Sequence, residues 1–367
     1  MGEKSETERS GLYEELKSQI LQRVDLSREV SDEEMQELID EVILTCGKEK
    51  RLSLNEKCRL KKELFYALRK MDMLQELLEE HSITEIMVNG TEGIFLEREG
   101  RLYRWDKSFA SEERILDIVQ QIAGACNRTV NESQPIVDAR LKNGDRVHIV
   151  LPPVAVNGPI ITIRRFPDEP VTMQKLLELE SISEEEAEFL KHAVRAGYSI
   201  LIAGGTGSGK TTFLNALSEY IPEDERVVVI EDTSELQIRT VPNLVRLETR
   251  SAGLEDCREI TVRDLIRASL RMRPSRIIVG EVRGGEAFEL LTCLNTGHDG
   301  SISTCHANST RDTISRLETM SLMGMELPLQ AIRRQIASGI DLIVYLGRLR
   351  DKTRRLLEIT EVTGMEG

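Results

Sequence analysis

Three patterns of apolar and polar positions follow one another along the chain. In the first 80 residues, apolar side chains recur at helical spacing behind two helix-start patterns, Ser31 to Glu34 and Ser53 to Glu56. The second pattern predicts a long helix toward Leu78. We predict a helical N-terminal region over residues 1–80, which serves either as a solvated appendage or as a docking surface for partners.

Residues 81–167 change to short β-type runs separated by turn signals. The dipeptides Asn89-Gly90, Glu99-Gly100 and Asn143-Gly144 stand between such runs and predict hairpins. Residues 111–126 have helical periodicity, and a last strand ends before Pro167. This pattern predicts an α+β domain over 81–167, followed by a linker over 168–182 that includes a short helix.

Strands alternate with helices from residue 183 to residue 367. Buried-type strands are predicted at 198–203, 227–230, 276–280, 301–305 and 342–346, with helices at 183–196, 211–220, 261–272, 285–295, 310–323 and 329–338. Such alternation is typical of a mainly parallel sheet that is covered on both faces. The predicted fold class is therefore α/β for this domain.

The first of these strands runs into a glycine-rich turn that fits G-x-x-x-x-G-K-[ST], the phosphate-binding Walker A loop. Glycines let backbone N–H groups surround a phosphate, and the helix N-terminus adds its own N–H groups. Lys210 is expected to reach the β- and γ-phosphates, and the Thr211 hydroxyl to ligate Mg²⁺. The candidate nucleotide-binding residues are Gly204, Gly205, Thr206, Gly207, Ser208, Gly209, Lys210, Thr211 and Thr212.

Carboxylates follow two of the other strands. Glu231 and Asp232 come after one strand, and Glu281 follows Gly280 at the end of another. In a parallel sheet, ligands bind beyond the carboxyl ends of the strands. A single acid there is ordinarily a cap or a surface ion pair, but two of them in one P-loop domain favour roles in holding Mg²⁺ or orienting water. Gly280 replaces the Asp that most P-loop proteins carry, which puts direct carboxylate ligation of Mg²⁺ there in doubt.

Histidines and arginines supply further candidates. His298 and His306 flank the strand at 301–305, where they are either structural hydrogen-bonding residues or contacts to the γ-phosphate. Arg140, Arg146 and Arg164 belong to the preceding domain. Each is either an ordinary salt-bridge partner or a cation that neutralises charge during phosphoryl transfer.

The bulk composition narrows the class of protein. The 367 residues carry a net charge of −14, which disfavours nucleic acid as a partner. No apolar run approaches the roughly 18 residues of a spanning helix, and the first residues lack the apolar core of a signal peptide. We expect a cytoplasmic protein whose membrane association is peripheral. The six cysteines include no C-x-x-C pair, so a zinc ribbon is not predicted.

Four boxes together resemble the secretion ATPase superfamily of type II secretion, type IV pilus and type IV secretion systems. They are the Walker A loop, the segment 229–233, the Walker B segment 277–284 and the histidine box 296–308. A glycine at position 280 is ordinary in that superfamily. The segments 138–141, 247–250, 270–274 and 316–320 resemble the CpaF/TadA type, which powers Tad (Flp) pilus assembly.

The resemblance implies a homohexameric ring with ATP and Mg²⁺ as cofactors. Each subunit would combine an N-terminal α+β domain with a RecA-like ATPase domain, with nucleotide bound between them. The implied catalytic residues, with roles, are Lys210 on the phosphates, Glu231 orienting or activating water, Glu281 supporting Mg²⁺ directly or through water, His306 sensing the γ-phosphate, and Arg140, Arg146 and Arg164 closing over the phosphates. The roles of the two glutamates are interchangeable at this level.

Two functions from different classes follow. The first is a Mg²⁺-dependent ATPase motor that assembles a pilus or drives secretion with inner-membrane platform proteins, at the cytoplasmic face of the inner membrane. The alternative is a nucleotide-gated scaffold that recruits secretion partners without productive hydrolysis. A DNA-translocating motor is a third idea that the acidic charge disfavours.

Overall fold

The described part of the chain forms two compact units, Met1–Phe166 and Pro167–Gly367. The structure is a computed structural model and describes residues 2–24, 30–50, 52–98, 100–166, 169–250 and 258–364. Among these residues, no helix combines the length and the apolarity that crossing a membrane requires.

The first unit contains a helical segment followed by an antiparallel sheet with one long helix. Its elements are α1 (Gly2–Arg23), α2 (Asp32–Glu49), α3 (Leu54–Arg69), α4 (Leu74–Leu78), β1 (Ile83–Asn89), β2 (Gly93–Arg98), β3 (Arg101–Arg104), α5 (Glu112–Ala125), β4 (Ile136–Arg140), β5 (Arg146–Val150) and β6 (Ile160–Arg164). The sheet order is β3-β2-β1-β6-β5-β4. Helices α1 to α3 share one apolar core, whereas α4 and α5 contribute to the core of the sheet.

The long helix predicted from Ser53 toward Leu78 is wrong in its extent. Helix α3 ends at Arg69, and α4 begins only at Leu74. Asp72, between them, has a φ of 47°, a left-handed conformation that interrupts a right-handed helix. The predicted turn at Glu99-Gly100 lies partly outside the described residues, because Glu99 is not among them.

The second unit is a seven-stranded sheet with helices on both faces. Its elements are α6 (Met173–Glu178), α7 (Glu184–Arg195), β7 (Ile200–Gly204), α8 (Lys210–Ser218), β8 (Arg226–Glu231), β9 (Asn243–Glu248), α9 (Val262–Ser269), β10 (Arg276–Val282), α10 (Glu286–Leu294), β11 (Ile302–Cys305), α11 (Thr310–Gly324), α12 (Leu329–Gly339), β12 (Leu342–Arg348) and β13 (Arg354–Glu361). The order is β13-β12-β7-β11-β10-β8-β9, and only the β12–β13 pair is antiparallel.

Strand β7 occupies the interior of this sheet, and all of its residues are buried. Ile200 and Ile202 belong to the apolar core on one face, while Leu201 and Ala203 belong to the core on the other face. This division follows from the period of two along a strand. The predicted α/β fold with a mainly parallel, doubly covered sheet is confirmed.

Two strands of the second unit were not predicted from the sequence. They are β9 and β13; both are edge strands with partly exposed residues, so neither has the continuous apolar run of a buried strand. The segment predicted as a linker with a short helix over 168–182 contains the helix α6, and its Met173, Leu176 and Ile182 belong to the apolar core of this unit.

Arg276, at the start of β10, is almost fully buried. Its guanidinium pairs with Glu225, with Nη2 at 2.7 Å from Oε1, and donates to the Gly300 carbonyl at 3.1 Å. The side chain therefore ties the entry of β10 to the segments before β8 and β11. Breaking such a buried pair leaves a polar group without its partner.

We expect Arg276→Ala to lower the free energy of unfolding by about 3 kcal/mol. Equilibrium unfolding in urea, followed by the far-UV circular dichroism signal, measures this loss. Arg226→Ala is the matched control, since Arg226, the first residue of β8 in the same sheet, is partly exposed and its loss is expected to cost less. Equal losses in the two variants would contradict the role assigned to Arg276.

Candidate functional site

The loop between β7 and α8 has the backbone geometry of a phosphate cradle. Gly207 and Gly209 have φ values of 69° and 92°, in the left-handed region that favours glycine. No side chain caps the N-terminus of α8. Its first N–H groups are thus left for an anion beside the loop, and Thr211 and Thr212 lie in the same first turn of the helix.

Lys210 is a buried cation beside this loop. Its Nζ donates to the carbonyls of Gly204 at 3.1 Å and Gly205 at 3.3 Å. Burial lowers the pKa of Lys210, an effect that the nearby Glu281 carboxylate opposes. The neighbouring Ser208 Oγ is buried and has no hydrogen-bond partner among the described residues. A buried ammonium, an unsatisfied hydroxyl and open helix N–H groups fit a phosphate group.

The structure brings three of the predicted site residues into one chain of contacts. Lys210 Nζ lies 3.2 Å from His306 Nδ1, and His306 Nε2 lies 2.9 Å from Glu281 Oε1. Glu281 Oε2 in turn accepts from Arg283 Nη2 at 2.5 Å. The carboxyl end of β10, the end of β11 and the start of α8 supply these residues, as expected for one edge of a parallel sheet.

The protonation of His306 fits its position between a cation and a carboxylate. Burial lowers its pKa; Glu281 opposes this shift, and Lys210 adds to it. The neutral ring carries one hydrogen. Since Nδ1 faces the Lys210 donor, Nδ1 is the acceptor, and Nε2 carries the hydrogen and lies 2.9 Å from Glu281 Oε1. The imidazole therefore lies between the Lys210 ammonium and the Glu281 carboxylate, in contact with both.

Glu231 occupies a separate, more enclosed place at the end of β8. Its Oε1 accepts from the backbone N–H groups of Glu235 at 2.8 Å and Leu236 at 2.9 Å. Burial raises the pKa of Glu231, and these two hydrogen bonds oppose the shift. A Cβ at position 280 would lie 3.0 Å from Glu231 Cγ. Gly280 therefore makes room for Glu231, which gives the missing Asp at that position a physical reason.

The arginines predicted in the first unit are direct neighbours in its sheet. Arg140 pairs with Arg146 across β4 and β5, and Arg146 pairs with Arg164 across β5 and β6. Glu85 on β1 continues the row opposite Arg164. Directly paired residues share a face, and like charges placed opposite each other repel. Asp138 relieves this repulsion in part, with Oδ1 at 3.3 Å from Arg146 Nη2.

Two further residues, His298 and Arg354, are assigned by the structure. His298 was a weaker histidine candidate; its Nδ1 lies 3.3 Å from the Cys293 carbonyl at the end of α10, which is a structural contact. The sequence reasoning missed Arg354, whose Nε donates to the Gly207 carbonyl of the loop at 2.9 Å. The density of arginines over residues 348–355, directly after a predicted strand, was the available signal.

The chain is similar to known proteins over most of its length. The family model described as "Type II/IV secretion system protein" matches residues 67–362. A putative conjugal transfer protein of Mycobacterium tuberculosis is 36% identical over 301 residues, which cover 80% of this chain and 85% of that protein. The type IV secretion system protein VirB11 of Brucella suis is 34% identical over 303 residues, covering 75% of this chain and 84% of the relative.

Solved structures share the fold. The ATPase DotB of Legionella pneumophila superposes with a TM-score of 0.57 at 23% identity, covering 80% of each chain. The pilus retraction motor PilT, with bound ADP, gives a TM-score of 0.58 at 22% identity, covering 80% of this chain and 83% of PilT. The predicted membership of the secretion ATPase superfamily is confirmed: the chain belongs to the type II/IV secretion system protein family and is a secretion ATPase.

Proposed function

We propose that this secretion ATPase is a Mg²⁺-dependent, ring-forming motor that powers assembly of a Tad-type pilus or protein secretion at the cytoplasmic face of the inner membrane. The contact chain Lys210–His306–Glu281 is the observation that carries the proposal. It joins the phosphate loop to the carboxylate at the end of β10. The number of phosphates on a bound nucleotide can therefore alter the contacts of His306 and Glu281.

The chain of contacts gives each residue a task during binding. An anion at the loop competes with His306 Nδ1 for the Lys210 ammonium, because a phosphate oxygen is a stronger acceptor than a neutral imidazole. His306 is then released from Lys210 while its Nε2 still faces Glu281. In this way His306 senses the γ-phosphate. Thr211 and Glu281 would hold Mg²⁺, directly or through water, and the ion would supply charge neutralisation on the phosphates.

Glu231 is our candidate for the group that accepts a proton from the attacking water. The raised pKa of Glu231 makes its carboxylate a stronger base than an ordinary glutamate. The two backbone N–H groups on Oε1 fix the orientation of the carboxylate. Both oxygens of Glu281, in contrast, face other side chains, His306 and Arg283. This division of contacts favours Glu231 over Glu281 as the base.

The row of Arg140, Arg146 and Arg164 supplies cationic charge from the first unit. Three like charges paired on adjacent strands repel one another, and Asp138 beside Arg146 offsets this repulsion only in part. The triphosphate of ATP is an anion of suitable charge. We propose that these arginines contact its phosphates and that their engagement is the movement which a hexameric ring converts into work.

The printed names of the relatives support the kind of machine. They include type IV secretion system proteins, a conjugal transfer protein and a pilus retraction motor. Inner-membrane platform proteins are the partners that we propose for this chain, and the Tad assignment rests on the sequence resemblance. The competing function, a nucleotide-gated scaffold without productive hydrolysis, predicts binding and oligomerisation without phosphate release.

The first prediction concerns the phosphate loop and the carboxylate that faces His306. Lys210→Ala and Glu281→Ala are each expected to lower Mg²⁺-dependent ATP hydrolysis at least about 100-fold, because each removes one end of the contact chain. Phosphate release by the purified protein measures the rate, and the thermal unfolding midpoint checks folding. Lys191→Ala, which removes a lysine paired with Glu188 on α7, is the matched control. Wild-type turnover in both site variants would refute the motor, and nucleotide-dependent hexamers without any hydrolysis by the wild type would favour the scaffold.

The second prediction separates the two glutamates. Glu231→Gln keeps a carbonyl oxygen for the N–H groups of Glu235 and Leu236 but removes the base, so kcat is expected to fall about 100- to 10,000-fold with little change in KM for ATP. Glu281→Gln is expected to change kcat and the Mg²⁺ concentration dependence together. Steady-state kinetics over a range of ATP and Mg²⁺ concentrations tests both. A Mg²⁺ dependence altered by Glu231→Gln and not by Glu281→Gln would reverse the two assignments.

The third prediction concerns the arginine row. Arg146→Ala, which removes the central cation, is expected to lower kcat/KM for ATP at least about tenfold, since one charged hydrogen bond to phosphate is lost. Arg101→Ala, an exposed arginine of β3 in the same sheet, is the control and is expected to leave kcat/KM unchanged. If both variants retain wild-type kinetics, the row has no part in the reaction.

A further inference from the structure

The β12–β13 hairpin extends past the strand that carries the phosphate loop. Strand β12 runs parallel to β7, and Leu346 is the register partner of Gly204, the last residue of β7. The hairpin continues beyond this point to Arg348, which pairs across the two strands with Arg354. The tip of the hairpin therefore lies alongside the loop rather than alongside the strand.

The tip is a well-defined turn. The Leu349 N–H donates to the Thr353 carbonyl at 2.9 Å, and the Thr353 hydroxyl donates to Asp351 Oδ1 at 2.7 Å. These bonds close the loop between the paired arginines. The positions of Arg348 and Arg354 are consequently fixed by a hydrogen-bonded frame and not by the side chains alone.

Both arginines lie against the phosphate loop. Arg354 Nε donates to the Gly207 carbonyl at 2.9 Å. A Cβ at Gly209 would lie 3.2 Å from Arg354 Cδ, and a Cβ at Gly207 would lie 3.4 Å from Arg348 Nη1. The absence of side chains at Gly207 and Gly209 thus leaves space for the two hairpin arginines.

The contact with Gly207 has a consequence for the inner side of the loop. In a planar trans peptide, the C=O and the following N–H point in opposite directions. The carbonyl of Gly207 is held by Arg354, so the N–H of Ser208 points the other way. The Ser208 N–H donates to the Gly205 carbonyl at 3.3 Å, the same oxygen to which Lys210 Nζ donates. Arg354 thereby orients an N–H group toward the side of the loop where Lys210 lies.

We infer that Arg354 is a positioning residue of the nucleotide site: through the Gly207 carbonyl it holds the phosphate loop in the shape that binds the polyphosphate. The inference rests on the proposed function, since it concerns the binding of ATP to this loop. Arg354 contacts the backbone of the loop at Gly207 and not a particular phosphate. Its effect on binding is therefore expected to be the same for ATP and for ADP. Its contribution is to binding and not to the bond-breaking step.

The test compares Arg354→Ala with Arg355→Ala in the full chain. Arg355 is the next residue of β13 and has the same charge, but its guanidinium contacts Glu180. We expect Arg354→Ala to weaken binding of both ATP and ADP about tenfold, with kcat within about twofold of wild type. Arg355→Ala is expected to bind both nucleotides as the wild type does. Titration calorimetry gives the affinities, and phosphate release gives kcat and KM.

A second variant separates position from charge. Arg354→Lys keeps the positive charge but lacks the guanidinium Nε that donates to Gly207. It is expected to bind nucleotide nearly as weakly as Arg354→Ala. Full recovery of binding by Arg354→Lys, or equal weakening by Arg355→Ala, would overturn the inference in favour of a general effect of charge.

Amide hydrogen exchange without nucleotide provides a readout that does not depend on activity. Faster exchange in peptides that cover residues 204–212 is expected for Arg354→Ala and not for Arg355→Ala. Unchanged exchange together with unchanged affinity would overturn the inference. A wild-type chain that fails to bind ATP would instead overturn the proposed function, and the exchange comparison would still decide whether Arg354 holds the loop.

Discussion

The buried ammonium of Lys210 is the constraint on which the site depends. A charge that is removed from water needs acceptors, and the loop supplies only two carbonyls, those of Gly204 and Gly205. His306 supplies the third acceptor, and it accepts through Nδ1 because its Nε2 faces Glu281. The three contacts are therefore linked: the Lys210 ammonium needs an acceptor, His306 provides it with Nδ1, and its other ring nitrogen then faces the Glu281 carboxylate.

The strand order makes this arrangement possible. Strand β7 lies beside β11, and β11 lies beside β10, so the ends of three parallel strands bring Lys210, His306 and Glu281 within contact distance. The Thr304 hydroxyl donates to the Gly280 carbonyl at 2.7 Å and links the ends of β10 and β11 directly. The mainly parallel sheet therefore positions the site directly, since the carboxyl ends of its strands bring residues 210, 281 and 306 to one edge.

Local signals made much of this predictable from the sequence. The glycine and lysine spacing identified the loop, and apolar runs identified β7, β8 and β10, because buried parallel strands are apolar on both faces. The edge strands β9 and β13 lack that signature. Arg354 was missed for the same reason: its partner Gly207 is 147 positions away in the sequence, and the contact exists only because β13 folds back along β12. The helix is interrupted after Arg69, where Asp72 adopts a left-handed backbone conformation. The spacing of apolar residues does not predict such a conformation.

The pair of Gly280 and Glu231 shows how a motif departure acquires meaning in three dimensions. In the sequence, glycine in place of aspartate weakens the case for a metal-side carboxylate. In the structure, the space that a side chain at 280 would take is adjacent to Glu231 Cγ. The glycine on β10 therefore leaves room for the enclosed carboxylate of Glu231 on β8, whose raised pKa and fixed orientation suit proton transfer. The neighbouring Glu281 contacts His306 and Arg283, which suits the proposed role of holding Mg²⁺ and linking it to His306. Two acids that were interchangeable in the sequence thus differ in their surroundings, and the space left at Gly280 belongs to the surroundings of Glu231.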